Sequence, residues 1–297
     1  MSIFLTVLSY LPPPLAAFLD PWHFMGLALS FLPSTILSCL LSRDLRTLFS
    51  WHRLRAAWFG RFWAVAGPNL RLNGEKNVVP LLRGHVSHGH ISVDTTNTNT
   101  NTANTATEHH PAVAGTVIEV GPGSGMWTSI FSPRYLPGVK KVYGVEPNAA
   151  VHGLLRQQIA AAGLEGTYEV VPVGIEDLAA SGRVPRESVD CIVTIMCLCS
   201  IPEPRYNIQR LYGYLKPGGR WYVYEHVKCF ESQGRGIGMY QAFLNLFWPQ
   251  FIGGCEMCRD TGKWLREAGP WSEVDLCPLK SEPWYHTMPH IIGVLTK

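Results

Sequence analysis

Gly115–Gly125 reads GTVIEVGPGSG, and this stretch decides the fold. Thr116–Val120 is a β-branched run of strand length, and Gly121, Gly123 and Gly125 follow it directly. Glycines at alternate positions let the backbone turn sharply and bring it within contact distance of a ligand. The pattern is G-x-G-x-G. It differs by one residue from the G-x-G-x-x-G that grips a dinucleotide pyrophosphate at a helix N-terminus.

Working outward, Lys141–Val145 is a second strand that ends in Glu146, 21 residues after Gly125. A carboxylate at that place can accept both ribose hydroxyls of a nucleoside. Met126–Phe131 reads as the start of a helix, and Asn148–Ala162 has helical spacing that Gly163 closes. Tyr168–Val173 is a third strand. The Gly174-Ile175-Glu176-Asp177-Leu178 segment after it offers backbone and a carboxylate where an adenine edge would lie, or a cap for the next helix. Ser188–Val193 leads through Val189–Thr194, the fourth strand, into Thr194–Ser200. Ile208–Leu215 reads as helix, Leu215–Arg220 as its stop, and Arg220–Tyr224 as the fifth strand. Val274–Cys277 and Ile291–Leu295 read as a final antiparallel pair. This alternation predicts an α/β protein with a Rossmann-like, mainly parallel sheet and an antiparallel last strand. Ligands in such sheets sit beyond the carboxyl ends of the strands, at the switch point.

The order G-x-G-x-G, strand-end acid, G-x-E-D-L, S-V-D-x-I-V, L-K-P-G-G resembles that of class I S-adenosylmethionine-dependent methyltransferases, over Gly115 to His226. Cys197-Leu198-Cys199-Ser200-Ile201, Tyr224-Glu225-His226-Val227, Gly253-Gly254-Cys255, Trp264 and Pro289–Gly293 extend the likeness. They are similar to the methyltransferase-like protein 7 family, which is anchored to endoplasmic-reticulum and lipid-droplet membranes and methylates small thiols. The resemblance implies S-adenosylmethionine as cofactor and a small apolar thiol as acceptor. It also implies a cofactor set of Glu119, Gly121, Gly123, Gly125, Glu146, Pro147, Ile175, Glu176 and Met196. Two features depart from the family: a low-complexity insert and a more apolar N-terminal region. A lipid amine, a phenol or a quinone hydroxyl is the alternative acceptor. A membrane-docked S-adenosylmethionine-binding protein without activity is the alternative from another class.

Methyl transfer needs an aligned nucleophile more than a strong base, because a thiol is partly ionised at neutral pH. His226, just past the fifth strand, is the candidate catalytic base; a backbone hydrogen bond at a strand end is its alternative role. Glu225 either orients His226 or faces away. Cys197 and Cys199 share a side if their segment stays extended, and Asp190 reads as a capping or pairing group. No metal site is expected. Cys255-x-x-Cys258 has no second pair at zinc-finger spacing and reads as structural.

The 297 residues are 46% hydrophobic and 16% charged, with a net charge of +3. That excludes a wholly disordered chain and argues against a nucleic-acid binder. Eight cysteines spread over this length fit free thiols in a reducing cytosol rather than a disulfide scaffold. Charge is uneven. Up to Ser42 the only charged side chain is Asp20, between the apolar blocks Ser2–Leu19 and Pro21–Leu41. Arg43, Arg46, Arg53, Arg55 and Arg61 then face Asp44 alone. Arginines just after an apolar span mark its cytosolic end, and the aromatic and leucine residues between them suit an amphipathic surface helix. A signal peptide would carry its positive charge before the apolar run. A buried hairpin is the stronger alternative. The expected organisation is an apolar membrane anchor of one or two spans (1–42), a basic amphipathic juxtamembrane segment (43–83), a disordered Thr/Asn-rich insert (84–111) and a methyltransferase domain (112–297). The expected partners are a small-molecule acceptor and a membrane surface, not nucleic acid. The expected location is the endoplasmic reticulum or a lipid droplet, with the domain facing the cytosol.

Overall fold

The computed structural model describes residues 11–92 and 109–297. The start of the first apolar block and most of the Thr/Asn-rich insert lie outside them. The described chain opens with helices α1 (Pro13–Ser30), α2 (Leu32–Leu41), the single turn α3 (Leu45–Leu48) and the long α4 (Trp51–Leu82). A small hairpin of β1 (Val86–Ser87) and β2 (His90–Ile91) follows. The remaining elements are β3 (Gly115–Val120), β4 (Val139–Val145), α5 (His152–Ala161), β5 (Tyr168–Val171), β6 (Val189–Ile195), α6 (Pro204–Tyr212), β7 (Leu215–His226), α7 (Arg235–Asn245), α8 (Trp248–Phe251), α9 (Thr261–Arg266), β8 (Glu273–Pro278) and β9 (His290–Thr296).

Seven strands form one sheet in the order β5-β4-β3-β6-β7-β9-β8. β3 to β7 run parallel, and β9 pairs antiparallel with both β7 and β8. The chain winds outward from β3 to β5, then returns to β6 on the other side of β3. The switch point therefore lies at the carboxyl ends of β3 and β6, where the glycine loop emerges.

Central strands are buried on both faces, which is why they read as apolar runs. Alternate side chains go to different cores. Ile118, Ile192, Trp221 and Val223 pack under α6 and α9 with Ile208, Leu211 and Leu265. Val117, Val193, Tyr222 and Tyr224 pack under α5 and the end of α4 with Leu155, Val78, Leu81 and Leu82. A third cluster joins Met25 and Ala28 of α1, Trp58, Phe62 and Ala66 of α4, and Leu244 and Trp248 of α7 and α8 to Cys199 and Cys255. Because Cys199 follows β6, this cluster caps the carboxyl end of the sheet.

Several local expectations need correction. Met126–Phe131 holds only a 3-10 turn, Thr128–Phe131; Pro133 keeps Ser132 extended and blocks a helix. Helix α6, expected over Ile208–Leu215, ends at Tyr212 and starts earlier, with Pro204 in its first turn. Leu215–Gly219 already belongs to β7, and a register shift against β6 absorbs the glycines. Asp190 is a pairing group, as expected: it lies within β6 and holds Lys216 Nζ at 2.7 Å and the Thr116 N–H at 2.7 Å. Gln233–Gln250, whose apolar spacing predicts one helix, is two helices, parted ahead of Pro249. Cys197 and Cys199 occupy a turn and not an extended segment, so they enter different cores.

The packing of α4 gives a direct test. Leu81 is fully buried on the sheet, whereas Leu72 is 73% exposed. Leu81→Ala is expected to lower unfolding stability by about 2–5 kcal/mol, and Leu72→Ala by no more than about 0.5. Denaturant titration of the two purified variants checks this.

Candidate active site

The glycine loop continues β3 beyond its last residue. The Gly121 N–H donates to the Val145 carbonyl at 2.9 Å. Gly121 and Gly123 then take φ of +63° and +60°, a left-handed conformation that disfavours side chains. A Cβ on Gly121 would also stand 2.8 Å from Cys197 Cβ. The Gly123 N–H donates to Glu146 Oε2 at 2.8 Å, and the Asn148 N–H to Oε1 at 2.8 Å. Glu146 is only 6% exposed, so burial raises its pKa while these two N–H groups oppose the rise. Each oxygen keeps a free lone pair, which a ribose hydroxyl can use. No α-helix starts after the loop, so the amide terminus that binds a pyrophosphate is missing here. A nucleoside without a pyrophosphate fits this loop.

The other expected cofactor residues occupy varied positions. Met196 lies directly after β6, half-buried, with φ of +52°. Ile175 is buried in the 3-10 turn Ile175–Asp177, and Glu176 is exposed on it. Pro147 is exposed beside Glu146. Glu119 is buried in β3, where its carboxylate accepts the Tyr168 hydroxyl. Burial pushes the Glu119 pKa up to about 7, against the effect of that hydroxyl.

His226 is the last residue of β7 and is 3% exposed. Its Nε2 lies 3.1 Å from Cys255 Sγ, and its Nδ1 is buried with no partner among the described residues. Cys255 also accepts the Trp248 indole N–H at 3.3 Å. Glu225 faces the other side of β7. Its Oε1 accepts the N–H groups of Cys197 at 3.1 Å and Leu198 at 3.2 Å, which ties the ends of β6 and β7 together. Burial pushes the Glu225 pKa up to about 7 against those bonds. Tyr224 stacks on His290 with ring centres 4.9 Å apart, and its hydroxyl accepts from Asn77 of α4 at 3.1 Å.

Sequence reading missed the roof of the site, because α4 looked like a surface helix. Its Ala56 carbonyl accepts the Asn148 side-chain N–H at 3.2 Å. Trp63 lies 3.8 Å from the position of a Cβ on Gly123. Arg71 donates to the Met126 carbonyl and to Ser129 Oγ, each at 2.8 Å. Only the density of aromatic residues in 51–63 hinted at burial.

Comparison with known proteins fits this geometry. A family model described as a methyltransferase domain matches residues 102–243. The chain is 33% identical over 189 residues to thiol S-methyltransferase TMT1B of Rattus norvegicus, covering 61% of this chain and 70% of that protein. It is 31% identical over 186 residues to the same enzyme of Homo sapiens, again covering 61% and 70%. An O-methyltransferase family protein from Burkholderia thailandensis superposes with a TM-score of 0.53 at 15% identity, covering 95% of this chain and 71% of that one. This last likeness concerns the fold alone.

Glu119 gives the site a pH signature. Its folded pKa, near 7, stands above the ordinary 4.5, so the folded chain keeps a proton that the unfolded chain has lost. Its contribution to stability is full below pH 4.5 and lost as pH rises through 7. Thermal unfolding of Glu119→Gln at pH 5 and pH 8 should therefore move a few degrees in favour of the variant at the higher pH. A Tm difference independent of pH would contradict this assignment.

Proposed function

The chain belongs to the thiol S-methyltransferase family of class I S-adenosylmethionine-dependent methyltransferases, and from that premise we propose that it methylates a small apolar thiol at a membrane surface. The single observation that carries the cofactor assignment is the bond between the Gly123 N–H and Glu146, which joins the glycine loop to the strand-end acid. In this reading Glu146 accepts the ribose hydroxyls, and Gly121, Gly123 and Gly125 let the backbone approach the nucleoside. Pro147, Ile175, Glu176 and Met196 line its base and its methionine portion. Glu119 supports the loop from beneath through Tyr168. The cofactor supplies a methyl group on a sulfonium, open to in-line displacement.

The chain's own residues then have three tasks. They hold donor and acceptor in line, a positional effect that can remove much of the barrier. They exclude water, through the aromatic roof of Phe59, Phe62 and Trp63 and the apolar cap around Trp248. They also make the acceptor sulfur nucleophilic, and we assign that task to His226 at the end of β7.

The N-terminal region is the membrane contact in this reading. Pro13–Leu41 is a 29-residue apolar stretch that contains an 18-residue window of mean hydropathy 1.9, only 22% of that window buried. Leu29, Leu37, Leu41 and Phe49 are exposed, and the arginines from Arg43 to Arg61 follow. α1 also packs on the catalytic domain, with Trp22 Nε1 donating to the Tyr240 hydroxyl at 2.9 Å and Trp58 Nε1 to the Ala28 carbonyl at 2.6 Å. An acceptor dissolved in lipid would thus enter next to the cap. We place the membrane at the endoplasmic reticulum or a lipid droplet, with the domain on the cytosolic side. The arginines and the family resemblance support that placement.

Two experiments on the full chain test these roles. Glu146→Ala should weaken S-adenosylhomocysteine binding by about tenfold or more, since a lost charged hydrogen bond costs about 1.5–3 kcal/mol. His226→Ala should leave that binding intact and lower turnover by roughly 10²–10⁴-fold. Calorimetry and product release separate the two; unchanged binding in Glu146→Ala would remove it from the cofactor site. For the membrane, the Leu29→Lys/Leu37→Lys double variant should leave the membrane pellet after a high-salt wash while the parent chain stays. Equal retention of both would overturn this anchor.

A further inference from the structure

Three sulfur- and nitrogen-bearing side chains meet in the cap beyond the carboxyl ends of β6 and β7. Cys199 comes from the turn after β6, His226 from the end of β7, and Cys255 from the turn after α8. Their ligand atoms lie within 4.8 Å of one another, and all three residues are buried. His226 Nε2 and Cys255 Sγ are 3.1 Å apart. The cluster adjoins the methyl-transfer site, because Cys199 is two residues from Cys197, whose Cβ abuts Gly121. Segments remote in sequence thus bring two thiols and an imidazole to one point within an otherwise apolar cap.

Two cysteines and one histidine are the donor set of a thiophilic divalent cation, above all zinc. Tetrahedral bonds of about 2.3 Å to sulfur and about 2.0 Å to nitrogen set ligand atoms roughly 3.5–3.8 Å apart, so the 3.1 Å pair would open slightly around an ion and the group stays within its 4.8 Å span. The Trp248 N–H already directed at Cys255 Sγ is the kind of outer hydrogen bond that steadies a metal thiolate. No fourth His, Cys, Asp or Glu joins the group among the described residues. Structural zinc sites close all four positions, whereas sites with three protein ligands keep one for a reactant.

We propose that Cys199, His226 and Cys255 bind zinc and that its open position takes the sulfur of the acceptor thiol. This inference rests on the thiol-acceptor reading above and deepens it. Both cysteines lose their protons to solvent when the metal binds. The incoming thiol likewise releases its proton to solvent and binds as a thiolate. A lone pair on that sulfur forms the new S–CH3 bond as the methyl–sulfonium bond breaks, and the breaking pair stays on the departing S-adenosylhomocysteine sulfur. The product is a neutral thioether, a weak ligand that leaves the metal. No electron is gained or lost, which suits a cation without redox chemistry. His226 then acts as a ligand through Nε2. An alcohol or amine of the same shape would lack the soft donor, so the metal would select for thiols.

The test uses the full-length chain in detergent, under reducing conditions, with zinc or cobalt(II) alone. About one equivalent of zinc should co-purify, and the cobalt form should show thiolate-to-metal charge transfer with tetrahedral d–d bands. Cys199→Ser and Cys255→Ser should each weaken metal binding by roughly tenfold or more, whereas Cys197→Ser, a buried thiol outside the group, should keep it. Retained S-adenosylhomocysteine binding shows that each variant is folded. Without cofactor, an apolar thiol should shift the cobalt d–d bands and its matched alcohol should not. Absence of bound metal, equal binding in all three variants, a Cys199–Cys255 disulfide in the reduced preparation, or bands indifferent to the thiol would each overturn the proposal. None of these outcomes depends on methyl transfer. Failure of the metal site therefore remains separable from failure of the thiol reading, which product release decides.

Discussion

One buried carboxylate holds the site together. Glu146 directly follows β4 yet accepts the Gly123 N–H, which belongs to the loop of the neighbouring strand. That bond ties the glycine loop, in which Gly121 and Gly123 take positive φ, to the end of the neighbouring strand. It requires the two strands to be adjacent and in register, which the outward winding from β3 to β5 provides. It also gathers negative charge where ribose hydroxyls and a cationic sulfonium would lie. The same principle recurs across the switch point, where Glu225 at the end of β7 holds the N–H groups after β6. Two carboxylates with raised pKa values thus brace the two sides of the crevice.

The N-terminal helices are part of this construction. α4 begins over the glycine loop and ends against the sheet, so it touches both the crevice and the core. α1 joins the cap through Met25 and Ala28. A segment rich in exposed leucine and a site roofed by its aromatic neighbours therefore form one continuous body. In the membrane reading proposed above, an apolar acceptor would pass from lipid to the crevice beside this cap.

Local pattern and chain order made the sheet legible. β3, β6 and β9 are short runs rich in β-branched residues, and they read as near-continuous apolar runs because both faces are buried. Glu146 was legible because a strand-end acid after a glycine loop has a specific task. The 3-10 turn at Thr128–Phe131 was not, since the apolar spacing of Met126–Phe131 mimics a helix and only Pro133 forbids it. Glu119 reads like a ligand-facing acid, but a strand alternates its side chains, and Tyr168 from β5 claims this one. The roof and the Cys199–His226–Cys255 group were illegible for another reason. They depend on which distant segments the topology brings together. A lone C-x-x-C suggests Cys258 as the partner of Cys255, whereas the fold supplies Cys199 and His226.

Methyl transfer to sulfur is the central step of the proposed function. The most direct measurement is S-adenosylhomocysteine release by the detergent-solubilised full chain, given one apolar thiol and its alcohol, phenol and amine counterparts. The account predicts turnover with the thiol and none above background with the other three. Equal turnover with the phenol or amine, or none with any member while the cofactor still binds, would contradict it.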